Sequence, residues 1–436
     1  MKKIKIGICG WGTVATALHR SILENKNQIK RTHQVDLEIV AIGARRDNPK
    51  YSAGKTKVLR NIFDVLDEDI DVLVELIGGT DDAKTLISSS FEKKIPVVTA
   101  NKAVIYEYGD ILFREASNNG VDFLFEASVC AGTPTINLLK NDLAGNKFLS
   151  IKGMLNGTSN FIISQMEDGM SFEDSLSFAQ ENGYAEADPT FDIEGIDAAH
   201  KISILSNIVF GSPLPPNEFL IEGISNITKQ DIYIAEKLDF TVKHVSSADM
   251  KDGKLLIRSN PALVQKSDYL SSLKNVRNGL VIDTDLIGKI HISGSGAGGE
   301  ATAAGVISDI VRLASESSNH NATSKEDLKY RQISDELFSF LIIVNSSSEN
   351  INSDVLDMLA EHNISIRNSG LINDGNKSDI TCFFETEEIT SINLQEFLND
   401  LNNLSSTFNT VRIEKEYWYL RVQGVEIKLK HLKKFF

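Results

Sequence analysis

The chain has 436 residues, of which 42% are hydrophobic and 24% charged, and its formal net charge is -15 at pH 7. This length and composition predict a folded protein of several domains, which excludes a single small module and global disorder. The acidic charge argues against nucleic acid as a partner, because binding to a phosphate backbone needs clustered cations. No apolar run reaches the roughly 18 residues that a membrane helix needs, so no membrane contact is predicted.

The three cysteines are Cys9, Cys130 and Cys382. Their wide spacing predicts neither a disulfide framework nor a zinc site of paired neighbours. The first residues lack the unbroken apolar core of a signal peptide, since Lys5 interrupts the apolar run. We therefore expect a cytoplasmic protein.

Residues 1–135 predict a Rossmann domain. Residues 2–8 form a predicted strand that leads into a glycine turn and then an alanine-rich helix. Further helical stretches alternate with short apolar runs at 37–43, 72–76, 97–99 and 123–125. Strand and helix patterns that alternate in this way predict a doubly wound parallel sheet.

The rest of the chain predicts two further domains. Residues 136–314 mix β-like runs with amphipathic helices, which is typical of an α+β domain. Residues 315–334 are polar and predict a linker, since they have little to bury. Residues 335–420 show a β-α-β-β-α order with a possible last strand, which predicts a small ferredoxin-like module. For the basic tail, 421–436, we favour a solvated or packed terminus over a membrane contact.

A glycine turn follows the first predicted strand at Gly7, Gly10 and Gly12. Glycines at such a turn let backbone amides and a helix N-terminus approach a pyrophosphate. Ala15 stands at the position of the last fingerprint glycine, where alanine is tolerated. Because the motif opens a βαβ run, it predicts a nucleotide cofactor.

Basic residues follow two of the predicted strands. The second strand ends in Arg45 and Arg46, without the acidic residue that would bind a ribose 2′-hydroxyl. The arginines suit the 2′-phosphate of NADP, although a solvated basic loop is the alternative. Lys102 follows a later strand, and ligands bind at the carboxyl ends of such strands. For Lys102 the alternative is an ordinary surface lysine.

Asp197 and Lys201 stand four residues apart on a predicted helix, so both project from one face. A surface ion pair is the usual interpretation of this spacing. The apolar neighbours, however, indicate a largely buried helix, and a buried acid–lysine pair beside a cofactor is a candidate for proton transfer. A second glycine-rich loop, 293–302, precedes another apolar helix, and it is either a flexible linker or a backbone surface for the nicotinamide half of the cofactor.

Taken together, these motifs resemble those of the homoserine dehydrogenases. They lie in the same order between residues 7 and 313, and the run 156–201 is highly specific. The matching segments are 10–14, 99–103, 156–160, 183–189 with Asp192, Gly195, Asp197 and Lys201, and 296–303. The resemblance implies the NAD(P)-dependent interconversion of L-homoserine and L-aspartate 4-semialdehyde, in threonine and methionine biosynthesis.

The resemblance also implies roles for individual residues. Lys201 would be the proton donor or acceptor at the substrate oxygen, and Lys102 could share that role. Asp197 and Glu186 would bind substrate, with Asp197 also orienting Lys201. A second ammonium and a positive nicotinamide would depress the pKa of Lys201. The residues that would touch the cofactor are Gly10, Gly12, Thr13, Val14, Arg45, Lys102, Gly183 and Gly298.

Further expectations rest on the same resemblance. A loop matches the segment that holds a structural sodium ion in the family, largely through backbone carbonyls; its residues are Glu126, Val129, Ala131 and Thr133. The C-terminal module resembles an ACT domain, which binds a regulatory amino acid in longer family members. It lacks the Asp-x-x-Gly turn of the effector site, so a structural or subunit-contact role is equally favoured. A homodimer or higher homo-oligomer is implied.

Two alternatives stay open at this point. A cofactor-binding sensor would keep the Rossmann half and the C-terminal module without a catalytic lysine. A phosphorylating semialdehyde oxidoreductase would need a thiolate nucleophile, for which Cys130 is the candidate. Turnover of homoserine would exclude the sensor, and resistance to iodoacetamide would exclude the thiolate enzyme.

Overall fold

The computed structural model of the chain describes residues 1–315, 328–346, 348, 350–372, 380–402 and 407–413. Its strands are β1 (Lys2–Cys9), β2 (Val35–Gly43), β3 (Lys57–Leu59), β4 (Val72–Glu75), β5 (Val97–Thr99), β6 (Phe123–Leu124), β7 (Phe148–Met154), β8 (Leu220–Ile221), β9 (Phe240–Lys251), β10 (Lys254–Gln265), β11 (Arg277–Thr284), β12 (Gly288–Ser295), β13 (Lys329–Tyr330), β14 (Leu337–Ser346), β15 (Ile366–Ile372), β16 (Ile380–Thr386), β17 (Ile389–Thr390) and β18 (Thr407–Ile413). Its α-helices are α1 (Thr13–His33), α2 (Asp81–Glu92), α3 (Lys102–Asn119), α4 (Gly157–Glu167), α5 (Phe172–Glu181), α6 (Thr190–Ile193), α7 (Ile196–Phe210), α8 (Lys229–Lys237), α9 (Gly299–Ser315), α10 (Ile351–Glu361) and α11 (Ser391–Leu401). Shorter helical turns lie at Ile62–Asp67, Glu126–Ser128, Leu138–Asp142, Tyr269–Ser272 and Ile333–Asp335.

The N-terminal sheet has six strands in the order β3-β2-β1-β4-β5-β6. Every neighbouring pair in it is parallel. This order, with the crossing point between β1 and β4, confirms the predicted doubly wound sheet.

Helices cover both faces of this sheet, because its strands are apolar on both faces. Leu73 and Val97 pack with α2 and α3 on one side. Val72 and Val74 pack with α1 on the other side. Helix α9 completes that second layer, although it follows the second sheet in the sequence; its contributions are Ala303, Val306 and Ile310.

The second sheet begins with five antiparallel strands in the order β12-β11-β7-β9-β10. Helix α7 packs on it through Ile202 and Leu205, in the same core as Ala248 and Ile257 of the sheet. Helices α4 and α8 pack farther along the same strands. This arrangement confirms the expected α+β domain.

The C-terminal strands follow the order β18-β14-β16-β15 and are antiparallel to one another. Helices α10 and α11 cover one face of these strands, which confirms the ferredoxin-like module. The opposite face packs on α4 and α8 of the second domain through Leu341, Ile343 and Phe383. Strand β18 also pairs with β10, so the module continues the second sheet.

Part of the predicted linker 315–334 is structured. Lys329 and Tyr330 pair with β10, and a helical turn follows at Ile333–Asp335. Residues 316–327 of that linker lie outside the described residues, as does the predicted basic tail, 421–436.

Within the described ranges, no helix combines the length and apolarity that a membrane crossing requires. Cys9, Cys130 and Cys382 are all free and buried. The absence of a disulfide among them agrees with the sequence prediction.

Candidate active site

The candidate site lies at the carboxyl end of β5, where Lys102 is the first residue of α3. Asn101 caps this helix, since its side-chain oxygen accepts a hydrogen bond from the Val104 amide at 3.2 Å. The cap fixes the direction in which the chain leaves the sheet. Lys102 Nζ lies 3.0 Å from Asp197 Oδ1 on the second domain, so it is not an ordinary surface lysine.

Asp197 and Lys201 lie on successive turns of α7, as the spacing predicts. Lys201 Nζ is 2.8 Å from Asp197 Oδ2, and it donates a second hydrogen bond to the Leu155 carbonyl at 2.7 Å. Asp197 is 5% exposed and Lys201 is 8% exposed. The interpretation as a surface pair is therefore wrong, and one carboxylate joins two ammoniums from two domains.

Asn156 is a member of this cluster whose role the sequence did not predict. Its side-chain nitrogen donates to Asp197 at 2.8 Å and to Asp192 at 2.6 Å. Its side-chain oxygen caps α4 by accepting from the Ser159 amide at 2.7 Å. An asparagine ahead of a helix indicates a cap; only the packing of α4 beside α7 shows that the same side chain also holds Asp197.

The charges of the cluster shift one another's protonation. Burial alone raises the pKa of Asp197, but the Lys201 and Lys102 ammoniums outweigh it and hold that pKa well below its usual range. Burial alone lowers the pKa of Lys201, but the Asp197 carboxylate raises it above its usual value. The expected depression of the Lys201 pKa is therefore wrong for the protein by itself, because the direct contact with Asp197 dominates. Lys201 holds a proton at neutral pH.

Aromatic side chains lie next to the cluster, and their arrangement was not predicted from the sequence. The His200 ring stacks on Tyr106 at 3.7 Å between centroids, with an angle of 11°. Phe191 meets the His200 ring edge-on at 5.2 Å, and Lys102 Nζ lies 5.3 Å from the Phe191 centroid. Burial and the nearby Lys102 charge lower the pKa of His200 to about 4. His200 is therefore neutral near pH 7 and adds no third cation.

The two glycine-rich loops meet where Gly299 approaches Thr13. Gly10 has φ of +106°, a conformation that favours glycine, in the turn between β1 and α1. Thr13 begins α1 and Val14 follows it, with Gly12 in the capping position. The second loop contains Gly298, with φ of +107°, and leads into α9. Helices α1 and α9 share a core, so the second loop leads into a packed helix and is not a flexible linker.

Arg45 lies just beyond β2 and is exposed. Its guanidinium forms an ion pair with Asp82 in the first turn of α2. The sequence analysis did not predict this partner, because the two residues are brought together by the order of β2 and β4 across the sheet.

Gly183 and Glu186 lie between α5 and α6, and both are exposed. The Glu186 carbonyl accepts a hydrogen bond from Gln180 at 2.9 Å. Asp192, rather than Glu186, shares the Asn156 amide with Asp197. A substrate contact for Glu186 stays a prediction.

The loop from Glu126 to Thr133 is built largely by backbone contacts. The buried Glu126 carboxylate accepts hydrogen bonds from the amides of Thr135, Ile136 and Asn137 at 2.6, 3.0 and 2.7 Å. Asp309 of α9 accepts from the Glu126 amide at 2.8 Å. Because the Glu126 side chain is occupied in this way, its carbonyl is the oxygen left to consider for a cation.

Cys130 lies in the same loop and is 1% exposed. Burial raises the pKa of its thiol, the opposite of what a thiolate nucleophile requires. The structure therefore does not support the phosphorylating alternative.

The glycine turn, the doubly wound sheet and the buried acid–lysine cluster at its carboxyl edge define a nucleotide-dependent oxidoreductase. A model of the homoserine dehydrogenase NAD-binding domain matches residues 10–126, and the homoserine dehydrogenase family model matches residues 134–311. The class is therefore that of the NAD(P)-dependent oxidoreductases.

Relatives narrow this class to one family. The homoserine dehydrogenase of Helicobacter pylori is 35% identical over 94% of this chain and 98% of its own length. That of Pseudomonas aeruginosa is 42% identical over 71% of this chain and 72% of its own length. A solved homoserine dehydrogenase structure from Thiobacillus denitrificans superposes with a TM-score of 0.86 at 31% identity, covering 95% of this chain and 99% of the other. The chain belongs to the homoserine dehydrogenase family.

Proposed function

We propose that this chain interconverts L-homoserine and L-aspartate 4-semialdehyde, with Lys201 moving the proton at the substrate oxygen. NAD(P), when bound, supplies the hydride chemistry. A hydride leaves the alcohol carbon readily only if the hydroxyl proton is taken up as well, so the site needs a group within hydrogen-bond reach of that oxygen. Lys201 has three N–H donors, and Asp197 and Leu155 take two of them. A substrate oxygen is the partner proposed for the third.

The other members of the cluster position this lysine. Asp197 faces Lys102 with one oxygen and Lys201 with the other. The proposal rests on this bridge, because it connects Lys102, at the edge of the N-terminal sheet, to α7, the helix that bears Lys201. We propose that Lys102 lies beside both cofactor and substrate. Its charge would also attract the substrate carboxylate.

Exchange of Lys201 for alanine tests this role. Lys201→Ala should lower kcat for homoserine about 10²- to 10⁴-fold, the range for loss of a general acid–base group. Reduction of NAD or NADP is followed by absorbance, and cofactor binding is measured separately by fluorescence. Lys93→Ala is the matched control, because Lys93 forms an exposed pair with Asp67. Near-normal turnover by Lys201→Ala, with cofactor binding retained, would contradict the role.

A preference for NADP is the second part of the proposal. Arg45 lies at the carboxyl end of β2, which is where a Rossmann sheet holds the adenosine ribose. No acidic residue follows β2 directly, since Ala44, Arg45 and Arg46 stand there. A guanidinium suits a 2′-phosphate because it offers paired donors. The ratio of kcat/KM for NADP to that for NAD measures this preference.

We also propose a sodium ion in the loop formed by Glu126, Val129, Ala131 and Thr133. Cys130 and Ala131 have φ of +57° and +41°, so the backbone turns sharply there. The Thr133 hydroxyl oxygen is buried without a hydrogen-bond partner, which suits it to bind a cation. No group of three or more His, Cys, Asp or Glu that could hold a metal occurs in the described part of the chain, which leaves carbonyl and hydroxyl oxygens as the ligands.

The cation is tested by thermal unfolding in sodium chloride against tetramethylammonium chloride at equal ionic strength. The melting temperature should be higher in sodium, and Thr133→Val should reduce that difference. Equal melting temperatures in the two salts would contradict the site.

A further inference from the structure

The turn that begins the catalytic helix α7 is held from outside by the segment 222–224. The Ile224 amide donates to the Ile193 carbonyl at 2.7 Å. Gly223 fits against Glu194 so closely that an added Cβ would lie 2.5 Å from the Glu194 Cα. Ser225 donates to the Glu194 carboxylate at 2.7 Å. Only two residues separate Glu194 from Asp197, so this segment fixes where α7 starts.

The same segment is anchored to the second sheet. The Glu222 amide donates to the Ser259 carbonyl of β10 at 2.9 Å. The Glu222 carbonyl lies 2.9 Å from His244 Nε2 of β9. His244 is 3% exposed, so this contact is part of a packed interior. A shift of Glu222 would therefore be felt on both β9 and the α7 turn.

The Arg412 side chain connects the C-terminal module to this segment. Arg412 of β18 forms an ion pair with the Glu222 carboxylate. Its guanidinium carbon lies 5.6 Å from the Phe338 ring and 5.7 Å from the Phe340 ring, both in β14. The aromatic rings restrict the guanidinium, and the Arg412 side chain is 13% exposed. Backbone pairing of Arg412 with Ala262 of β10 fixes its register.

We infer that Arg412 is a positioning residue for the reaction. It acts through Glu222 on the turn that precedes α7, the helix that carries Asp197 and Lys201. The C-terminal module thus contributes to the geometry of the active site without touching it. Both family models end by residue 311, before the module begins, so we expect the contribution of Arg412 to be a moderate one. The inference rests on the proposed roles of Asp197 and Lys201.

Kinetics of single variants test this inference. Arg412→Ala should lower kcat for homoserine about three- to tenfold, the range for residues along a coupling network. KM for the cofactor should stay unchanged, because the glycine loops lie on other elements. Arg412→Lys should retain most of kcat, since it keeps the positive charge. Glu222→Gln should reproduce Arg412→Ala without altering the module, and the double variant should be no slower than either single one.

The matched control is Arg367→Ala, which removes another arginine of the module. Arg367 pairs with Glu385 and Glu387 inside the module and has no part in the route to α7. Its kcat should equal that of the wild type. If Arg412→Ala and Glu222→Gln also show wild-type kcat, the inference is overturned.

Hydrogen exchange gives a readout that does not depend on turnover. In Arg412→Ala and Glu222→Gln, amides of the segments 192–200 and 222–226 should exchange faster, while they stay protected in Arg367→Ala. Faster exchange confined to the module itself would overturn the inference. The wild type and Lys201→Ala, run in the same turnover assay, report separately on the proposed function.

Discussion

The ion pairs of Asp197 and the ion pair of Arg45 both join separate elements of the protein, but they differ in their surroundings. Asp197 bridges Lys102 and Lys201 in a buried cluster. Arg45 meets Asp82 on the surface, where their side chains are 64% and 52% exposed. In the first case Asn156 donates a hydrogen bond to the Asp197 carboxylate and the Leu155 carbonyl accepts one from Lys201, so both buried charges are held in place. In the second, water and salt compete with each partner.

Each kind of ion pair is suited to a different task. Loss of one partner from a buried ion pair strongly destabilises a protein, so the charges of the Asp197 cluster stay in fixed positions. An exposed ion pair contributes little to stability and opens readily, so one of its partners can bind a ligand instead. The pair of Arg45 therefore suits the binding of a cofactor phosphate, and the cluster of Asp197 suits proton transfer.

Of the substitutions that test this comparison, Asp197→Asn should have the largest effect, because it removes the charge that both lysines share. The two lysines lose their shared anion, and removal of one partner from a buried pair costs about 3 kcal/mol or more. We expect kcat to fall roughly 10²-fold or more, as for a misplaced proton carrier. Thermal unfolding and steady-state kinetics measure the two effects. Unchanged values of both would show that the cluster does not hold its charges in fixed positions.

The pH dependence of turnover tests the effect of Asp197 on Lys201. Because Asp197 raises the pKa of Lys201, the neutral amine that the proposed role of Lys201 in homoserine oxidation requires is scarce at neutral pH. We expect kcat/KM for oxidation to rise about tenfold per pH unit between about pH 6 and about pH 8.5, with no such rise for semialdehyde reduction. In Asp197→Asn the rising limb should move to lower pH, since the carboxylate that raises the pKa is gone. If the rising limb stays at the same pH in Asp197→Asn, the limb does not report the protonation of Lys201.

Arg45→Ala is expected to act on one cofactor only. Loss of a charge-assisted contact to the 2′-phosphate should raise KM for NADP about tenfold, while KM for NAD stays unchanged. Arg31→Ala, at an exposed position in the last turn of α1, is the control, and initial rates with each cofactor supply the measurement. Equal effects on NAD and NADP would show that Arg45 does not read the phosphate.

The smallest effect is expected from Asp82→Asn. Asp82 competes with a phosphate for the Arg45 guanidinium, and an exposed pair is weak. KM for NADP should therefore fall only about two- to threefold, and added salt should reduce the difference. In the Arg45→Ala background the substitution should have no effect, because the competitor has nothing left to bind.

Local sequence patterns predicted much of the fold. Apolar strands such as Val72–Glu75 and Val97–Thr99, with the glycine turn at Gly10, were enough to predict the parallel sheet. The spacing of Asp197 and Lys201 predicted one helical face. These features depend on neighbours within a few residues along the chain.

The remaining features depend on tertiary packing. Asn156 reaches Asp197 across 41 positions, and Asp82 reaches Arg45 across 37; no local pattern marks either pair. The raised pKa of Lys201 follows from its direct contact with Asp197, whose strength depends on burial. The pairing of β18 with β10 joins residues about 150 positions apart, a separation at which single-sequence patterns carry no signal.

Helix α9 has a consequence for synthesis of the chain. Its residues Ala303, Val306 and Ile310 cover a face of the sheet whose first strand begins at Lys2. While a ribosome is still making the second sheet, α1 covers that face without α9. The N-terminal domain therefore completes its packing only after residue 315 has been made, and until then the apolar surface that α9 will cover stays exposed to water.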